Sequence, residues 1–214
     1  FLTSSFVCES AADAAAKFSG EIEGNTYSRY TNPTVQAFEK RLATLDGAEA
    51  AVATSSGMAG VHAVTLAYLK SGDHVICSRA VFGSILSLFE KYVIKFGVDV
   101  TFVDLGDLDA WKQAIRPNTR LLFIETPSNP LAQVGDLQAI ADIAHAHGAL
   151  FAVDNTFCTP LLQRPIKFGA DLVIYSSTKY IDGQGRALGG AVVGSAKLME
   201  EITGVIRTLG NSMS

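Results

Sequence analysis

Apolar and polar positions along this chain fall into two alternating patterns. Short, nearly continuous apolar runs at residues 74–78, 99–103, 121–125, 150–154, 172–175 and 191–193 predict strands, and residues 50–54 predict a shorter one. Helical periodicity fills the intervals at 84–96, 108–115 and 137–147. Upstream, Asn32-Pro33 signals a helix start, and Val35, Phe38, Leu42 and Leu45 follow at helical spacing. Residues 57–70 predict a further helix, and residues 11–18 a short one. Strands that are apolar on successive positions belong in a sheet covered on both faces by helices. The alternation therefore predicts a three-layer α/β domain with a mostly parallel sheet, whose ligands sit at the carboxyl ends of the strands.

No repeat, low-complexity tract or linker divides the sequence. Residues 33–214 are expected to form one large domain, preceded by a weakly periodic segment at 1–32. The chain starts at Phe1 and reaches Ser214 without an evident terminal element, so a piece of a longer protein is expected. Its 214 residues are 48% hydrophobic and 18% charged, with a formal net charge of −4. Acids and bases are interspersed, which argues against nucleic acid or a membrane surface as a partner. No apolar stretch reaches bilayer length, and a cytoplasmic protein is expected. The cysteines Cys8, Cys77 and Cys158 are odd in number and widely spaced, so they read as reduced thiols, Cys158 as a buried one. His145 and His147 point in different directions on a helix, and with His62 and His74 they give no zinc spacing; no metal is expected.

The candidate chemistry lies at strand ends. Asp154 closes one apolar run, and Lys179 follows the next in Ser176-Ser177-Thr178-Lys179-Tyr180. A carboxylate and a hydroxyl-flanked lysine at the same edge suit pyridoxal 5′-phosphate (PLP). That cofactor needs an amine for a Schiff base, an anion beside its pyridine nitrogen and donors for its phosphate. Ser55-Ser56-Gly57-Met58-Ala59-Gly60 joins a strand to a helix, where unpaired amides can seat a phosphate. The same stretch also reads as a degraded dinucleotide loop with Asp73 as its distant acid, although Gly72-Asp73 suits a turn better. Phe82, after a strand, can stack on a planar ring. Asn129, in Glu125-Thr126-Pro127-Ser128-Asn129-Pro130, can donate to a ring oxygen from a loop stiffened by two prolines. Tyr27 and Arg29 suit a phosphate clamp.

Taken in order, Tyr27-Ser28-Arg29, Ser56-Gly57-Met58, Glu125 to Pro130, Asp154-Asn155 and Ser176 to Tyr180 resemble the Cys/Met-metabolism PLP enzymes. The family includes cystathionine γ-synthase, cystathionine lyases, methionine γ-lyase and the homoserine-ester sulfhydrylases. Val81-Phe82-Gly83-Ser84 and Asp182-Gly183-Gln184-Gly185-Arg186 are most similar to the branch that acts on O-succinylhomoserine. The resemblance implies the fold type I architecture of aspartate aminotransferase-like enzymes. It also implies a γ-replacement reaction on an activated homoserine ester with sulfide, and a homo-oligomer built as a dimer of dimers. Residue by residue, it implies that Lys179 forms the Schiff base and moves protons, and that Asp154 pairs with the pyridine nitrogen. Ser56, Gly57, Met58, Ser176 and Thr178 would hold the phosphate, Asn129 the ring oxygen and Phe82 the ring face. Tyr27 and Arg29, in the segment at 1–32, would reach the phosphate of a neighbouring subunit. Many members carry tyrosine where this chain has Phe82, so a hydroxyl role is absent here. The resemblance also implies a C-terminal domain carrying the substrate-carboxylate arginine, expected to lie beyond Ser214 and outside this chain.

Overall fold

Strand side chains sort alternately into two apolar clusters, one on each side of a single sheet. The computed structural model describes residues 1–213. Its first half contains α1 (Ala11–Ser19), α2 (Pro33–Asp46), β1 (Ala50–Thr54), α3 (Gly57–Tyr68), β2 (His74–Ser78), α4 (Gly83–Ser87) and β3 (Asp99–Val103). The second half contains α5 (Leu108–Ala114), β4 (Thr119–Glu125), α6 (Leu137–Ala146), β5 (Leu150–Asp154), α7 (Thr159–Leu162), β6 (Leu172–Tyr175), β7 (Gly190–Gly194) and α8 (Ala196–Leu209). On β4, Leu122 and Ile124 join one cluster while Leu121 and Phe123 join the other. On β6, Val173 and Tyr175 are separated from Leu172 and Ile174 in the same way. This two-residue period is the geometry of a pleated strand buried on both faces. Leu42 of α2, Trp111 of α5 and Ile140 of α6 cover one face. Val64 of α3, Ile85 of α4 and Ile202 of α8 cover the other. The three layers agree with the sequence.

The sheet has the order β1-β7-β6-β5-β4-β2-β3. Strands β3, β2, β4, β5 and β6 pair in parallel, whereas β7 runs antiparallel to both β6 and β1. A parallel return needs a crossover, usually a helix. No helix lies between β6 and β7, and the chain comes back antiparallel.

Two expectations need correction. The helix expected at 84–96 is broken: α4 gives way to a widened π turn at Leu88–Tyr92 and then a tight 3-10 turn at Val93–Phe96. Ile85, Phe89 and Val93 are all buried and four residues apart. That spacing exceeds the α-helical 3.6 residues per turn, so a wider turn keeps all three on one face. A terminal element is also present. In α8, the Ser195 hydroxyl accepts the Leu198 N–H at 3.3 Å, and Met199, Ile202 and Ile206 face the core. Gly210 closes the helix with φ of 81°, a left-handed conformation that glycine adopts without a Cβ penalty.

Residues 1–32 are tied to this body by hydrogen bonds between Arg29 and Arg207 and between Arg207 and Tyr30. Ser5 and Tyr27 form an isolated bridge, and α1 buries no side chain. Asn32 caps α2 by accepting the Thr34 N–H at 2.9 Å. Among the described residues no helix is long and apolar enough to cross a membrane.

Candidate active site

β4, β5 and β6 are parallel neighbours, so their carboxyl ends emerge on one rim. Glu125 ends β4, Asp154 ends β5, and Ser176 to Lys179 follow β6 directly. The amino end of α3 meets the same rim because Ser56 caps it, accepting the Ala59 N–H at 3.1 Å. Together they enclose a cleft of about 230 Å³. It is lined by Ser56, Gly57, Met58, Phe82, Asn129, Asp154, Ser176, Thr178 and Lys179, and thus by all the residues singled out in the sequence except Tyr27 and Arg29. Glu125, Thr156, Phe157 and Leu188 complete the lining.

Asp154 is buried, and its carboxyl accepts the Thr156 N–H at 3.0 Å. Burial pushes its pKa up, while the Thr156 hydrogen bonds oppose that. Thr156 also accepts the Ser176 N–H on its hydroxyl at 2.8 Å, so one side chain ties the ends of β5 and β6 together. Among the described residues Asp154 has no ion-pair partner. A buried carboxylate without a cation is costly, and a protonated pyridine nitrogen would supply one. The residues present therefore fit PLP.

The end of the cleft at the α3 turn is defined by close approach. A β-carbon on Gly57 would stand 2.7 Å from the Ser176 β-carbon, and one on Gly190 would stand 2.4 Å from the Ser56 carbonyl carbon. Only glycines let the α3 turn seat against β6 and β7. The first-turn amides of Gly57 and Met58 have no intrahelical acceptor. Thr178 lines the cleft, with its hydroxyl turned to the loop. Its hydroxyl donates to the Gly189 carbonyl at 3.1 Å and accepts the Gly189 N–H at 3.0 Å, closing the loop that carries Lys179.

Lys179 is exposed and has no ion-pair partner among the described residues. Its backbone is fixed at both sides, by its N–H to the Ser176 carbonyl at 3.2 Å and by the Gly183 N–H to its carbonyl at 2.8 Å. The Phe82 ring is half-exposed at the cleft and not packed into the core. Asn129 lies in a loop closed by Ser128, whose N–H donates to the Gln133 carbonyl at 2.9 Å and whose hydroxyl accepts the Gln133 N–H at 3.1 Å. Asn155 turns away from the cleft. It is buried behind the rim and donates to the Tyr175 hydroxyl at 3.0 Å, which in turn donates to Asp46 at 2.7 Å.

The single chain does not bring Tyr27 and Arg29 to this cleft. The Arg29 guanidinium donates to the Arg207 carbonyl and lies over the rings of Tyr27 and Tyr30, at 5.6 and 4.9 Å from their centroids. Cys158, expected to be a buried thiol, is half-buried instead, in an apolar hollow with Phe157 and Tyr180. Glu125, the first residue of the Glu125 to Pro130 motif, is a further acid in the cleft. Its carboxyl accepts the Phe82 N–H, and burial together with Asp154 pushes its pKa up to about 8. The signal for it was present in the sequence as a second acid closing a strand, but the neighbouring position of that strand was not. The dinucleotide alternative loses its acid. Asp73 precedes β2, at the opposite end of the strands from the cleft, and sits in a turn where its N–H donates to the Lys70 carbonyl at 3.0 Å.

A three-layer α/β domain with a mostly parallel sheet, carrying a lysine and a buried carboxylate on one rim, has the fold type I architecture of PLP-dependent enzymes. The chain belongs to the Cys/Met metabolism PLP-dependent enzyme family, whose model matches residues 1–214. It is 59% identical, over its whole length, to O-succinylhomoserine sulfhydrylase of Pseudomonas aeruginosa, of which it covers 53%. It is 41% identical to L-methionine gamma-lyase of Fusobacterium nucleatum subsp. polymorphum, over 94% of this chain and 51% of that protein. The crystal structure of metB from Corynebacterium glutamicum superposes with a TM-score of 0.92 at 34% identity, covering all of this chain and 54% of that one. The chain thus spans about half the length of the curated relatives it matches.

Proposed function

We propose that the full-length protein catalyses a PLP-dependent γ-replacement, joining O-succinyl-L-homoserine to sulfide to give L-homocysteine and succinate in methionine biosynthesis. The relative named O-succinylhomoserine sulfhydrylase, 59% identical, supports this substrate choice. The observation that carries the chemistry is the shared cleft of Asp154 and Lys179, at the carboxyl ends of adjacent parallel strands.

PLP, when bound, draws electrons away from the α-carbon of an amino acid. The Lys179 Nζ would hold the cofactor and, once released, take a proton from the substrate Cα and carry protons at Cβ. The Asp154 carboxylate would accept a hydrogen bond from the pyridine nitrogen and keep it protonated. The amides of Gly57 and Met58 and the hydroxyls of Ser56 and Ser176 would bind the phosphate, joined by Thr178 once its hydroxyl turns from Gly189. The Asn129 side chain would donate to the ring oxygen, and Phe82 would cover the ring face. Loss of succinate from Cγ and addition of sulfide there complete the replacement.

Residues 1–32 would reach a neighbouring subunit and bring Tyr27 and Arg29 to its phosphate, within a dimer of dimers in the cytoplasm. A C-terminal domain would hold the substrate carboxylate, so residues 1–214 alone would not turn over substrate, even with PLP bound. A second reading, a γ-lyase, is favoured by the 41% identical relative of that name. A cystathionine γ-synthase is the remaining member of this group. The test is product analysis of the full-length enzyme with O-succinyl-L-homoserine and either sulfide or cysteine. Homocysteine from sulfide is expected. Cystathionine from cysteine as the main product, or a keto acid and ammonia without a sulfur donor, would overturn the assignment in favour of the other members.

A further inference from the structure

Glu125 and Asp154 are register partners on adjacent parallel strands, so two carboxyl groups leave the rim side by side. Both are buried, and among the described residues neither has an ion-pair partner. Such a pair resists double ionisation. Glu125 differs from Asp154 in what it holds. Its carboxyl accepts the backbone N–H of Phe82, which belongs to the loop after β2. The backbone amide of Asn129, in the loop after β4, is close enough to stabilise the same anion. One side chain therefore spans the two loops that carry the aromatic ring and the amide.

Packing alone does not fix Phe82. Its ring is 45% exposed, and as the residue before α4 it caps that helix without any side-chain hydrogen bond. Gly83, next along, has open space around it. The firm anchor of this turn on the cleft side is the bond from its backbone to Glu125.

We propose that Glu125 is a positioning residue, holding Phe82 and Asn129 at the separation that a planar cofactor ring requires. This rests on the reading of the cleft as a PLP site. The groups that face Glu125 are Asp154 from β5, Cys77 from β2 and, across the cleft, Lys179 from the loop after β6. Burial and Asp154 favour the protonated carboxyl near neutral pH, and a protonated carboxyl still offers an oxygen to the Phe82 N–H.

The experiment uses the full-length protein stripped of cofactor and retitrated with PLP. It reads the dissociation constant and the visible circular dichroism of the bound cofactor, with the melting temperature of the apo-protein as a control. Glu125→Ala is expected to weaken PLP binding by about tenfold and to reduce the dichroic band, through loss of the acceptor for the partly buried Phe82 N–H. Glu125→Gln, which keeps an oxygen in place, is expected to rescue most of that loss. Phe82→Ala combined with Glu125→Ala is expected to lose less than the product of the two single effects, because both act through the same ring. Should Glu125→Ala not fold, Glu125→Asp, too short to reach the Phe82 amide, carries the same expectation. Unchanged affinity and dichroism in the acceptor-deficient variant, or independent multiplication of the two effects, would overturn the proposal. Failure of the wild-type protein to link PLP at Lys179 would instead overturn the reading of the site.

Discussion

Gly57 at the start of α3 and Ser176 at the end of β6 are pressed together: a methyl group on the glycine would stand 2.7 Å from the serine β-carbon and 3.0 Å from its α-carbon. The second of these atoms is backbone and cannot swing aside. Gly57→Ala is therefore expected to push α3 away from the lysine-bearing loop, although alanine normally improves a helix. PLP affinity of the full-length protein should fall by about tenfold or more, against a drop of only a few degrees in melting temperature. Unaltered affinity would show that the approach is not needed for phosphate binding.

Asp154→Asn should keep PLP bound while turnover falls by on the order of 100-fold. The amide matches the carboxylate in shape and can still accept the Thr156 N–H, but it cannot hold a pyridine nitrogen protonated. Steady-state kinetics with a measured cofactor content would separate the two effects. Near wild-type turnover would reduce Asp154 to a strand-end residue.

Glu125 should make the apo-protein less stable as pH rises from the ordinary glutamate range to about 8, whereas His74, lowered to about 4 by burial, acts in the opposite sense below its ordinary 6.5. Glu125 holds its proton to about pH 8 in the folded chain, against 4.5 for an unperturbed glutamate. Between those values the folded state binds more protons than the unfolded one, so the linkage slope is negative. Its contribution is fully present below the lower value and lost above the higher. Asp154, raised by burial, adds a term of the same sign. Urea melts between pH 5 and 9 on wild type and Glu125→Gln would measure it. The variant should show a shallower decline, and parallel curves would place the titration elsewhere.

The cross-subunit role proposed for Arg29 predicts complementation. In one chain its guanidinium is turned to the Arg207 carbonyl and the rings of Tyr27 and Tyr30. Full-length Arg29→Ala and Lys179→Ala should each be nearly inactive. Mixed dimers would then contain one site with both wild-type residues and one with neither. Reversible dissociation and remixing should restore up to about half the wild-type activity per dimer. If Arg29 served its own subunit, every site would keep one lesion and activity would stay absent.

Much of the framework was legible because β2, β5 and β6 are short apolar runs with sharp polar or turn boundaries, and burial on both faces leaves no ambiguity of side. Asp154 and Lys179 were legible for a related reason: a polar residue ending such a run must emerge at a rim. The break between Ile85 and Val93 was not, since a spacing of four fits an α-helix locally and conflicts with it only over two turns. Met199, Ile202 and Ile206 do repeat at helical spacing, but the helix follows a glycine-ended strand so closely that the pattern has no separate beginning. Glu125 was hidden for another reason. Its importance depends on the order of strands in the sheet, which places Asp154 beside it and which no local pattern encodes.

The reversal of β7 governs how far Lys179 can travel. Because β7 begins where β6 ends, the intervening loop both departs from and returns to one rim, and Thr178 and Gly189 are laced together within it. Lys179 thus rides on a strap buckled at both ends. Residues inserted between Gly183 and Gly189 would bulge into solvent, whereas even one inserted between Tyr175 and Gly183 would break the bonds that fix Lys179 and move its amine in the cleft shared with Asp154. The stretch from strand to Gly183 acts as a ruler, and the remainder of the strap is where the chain can change length without disturbing the amine.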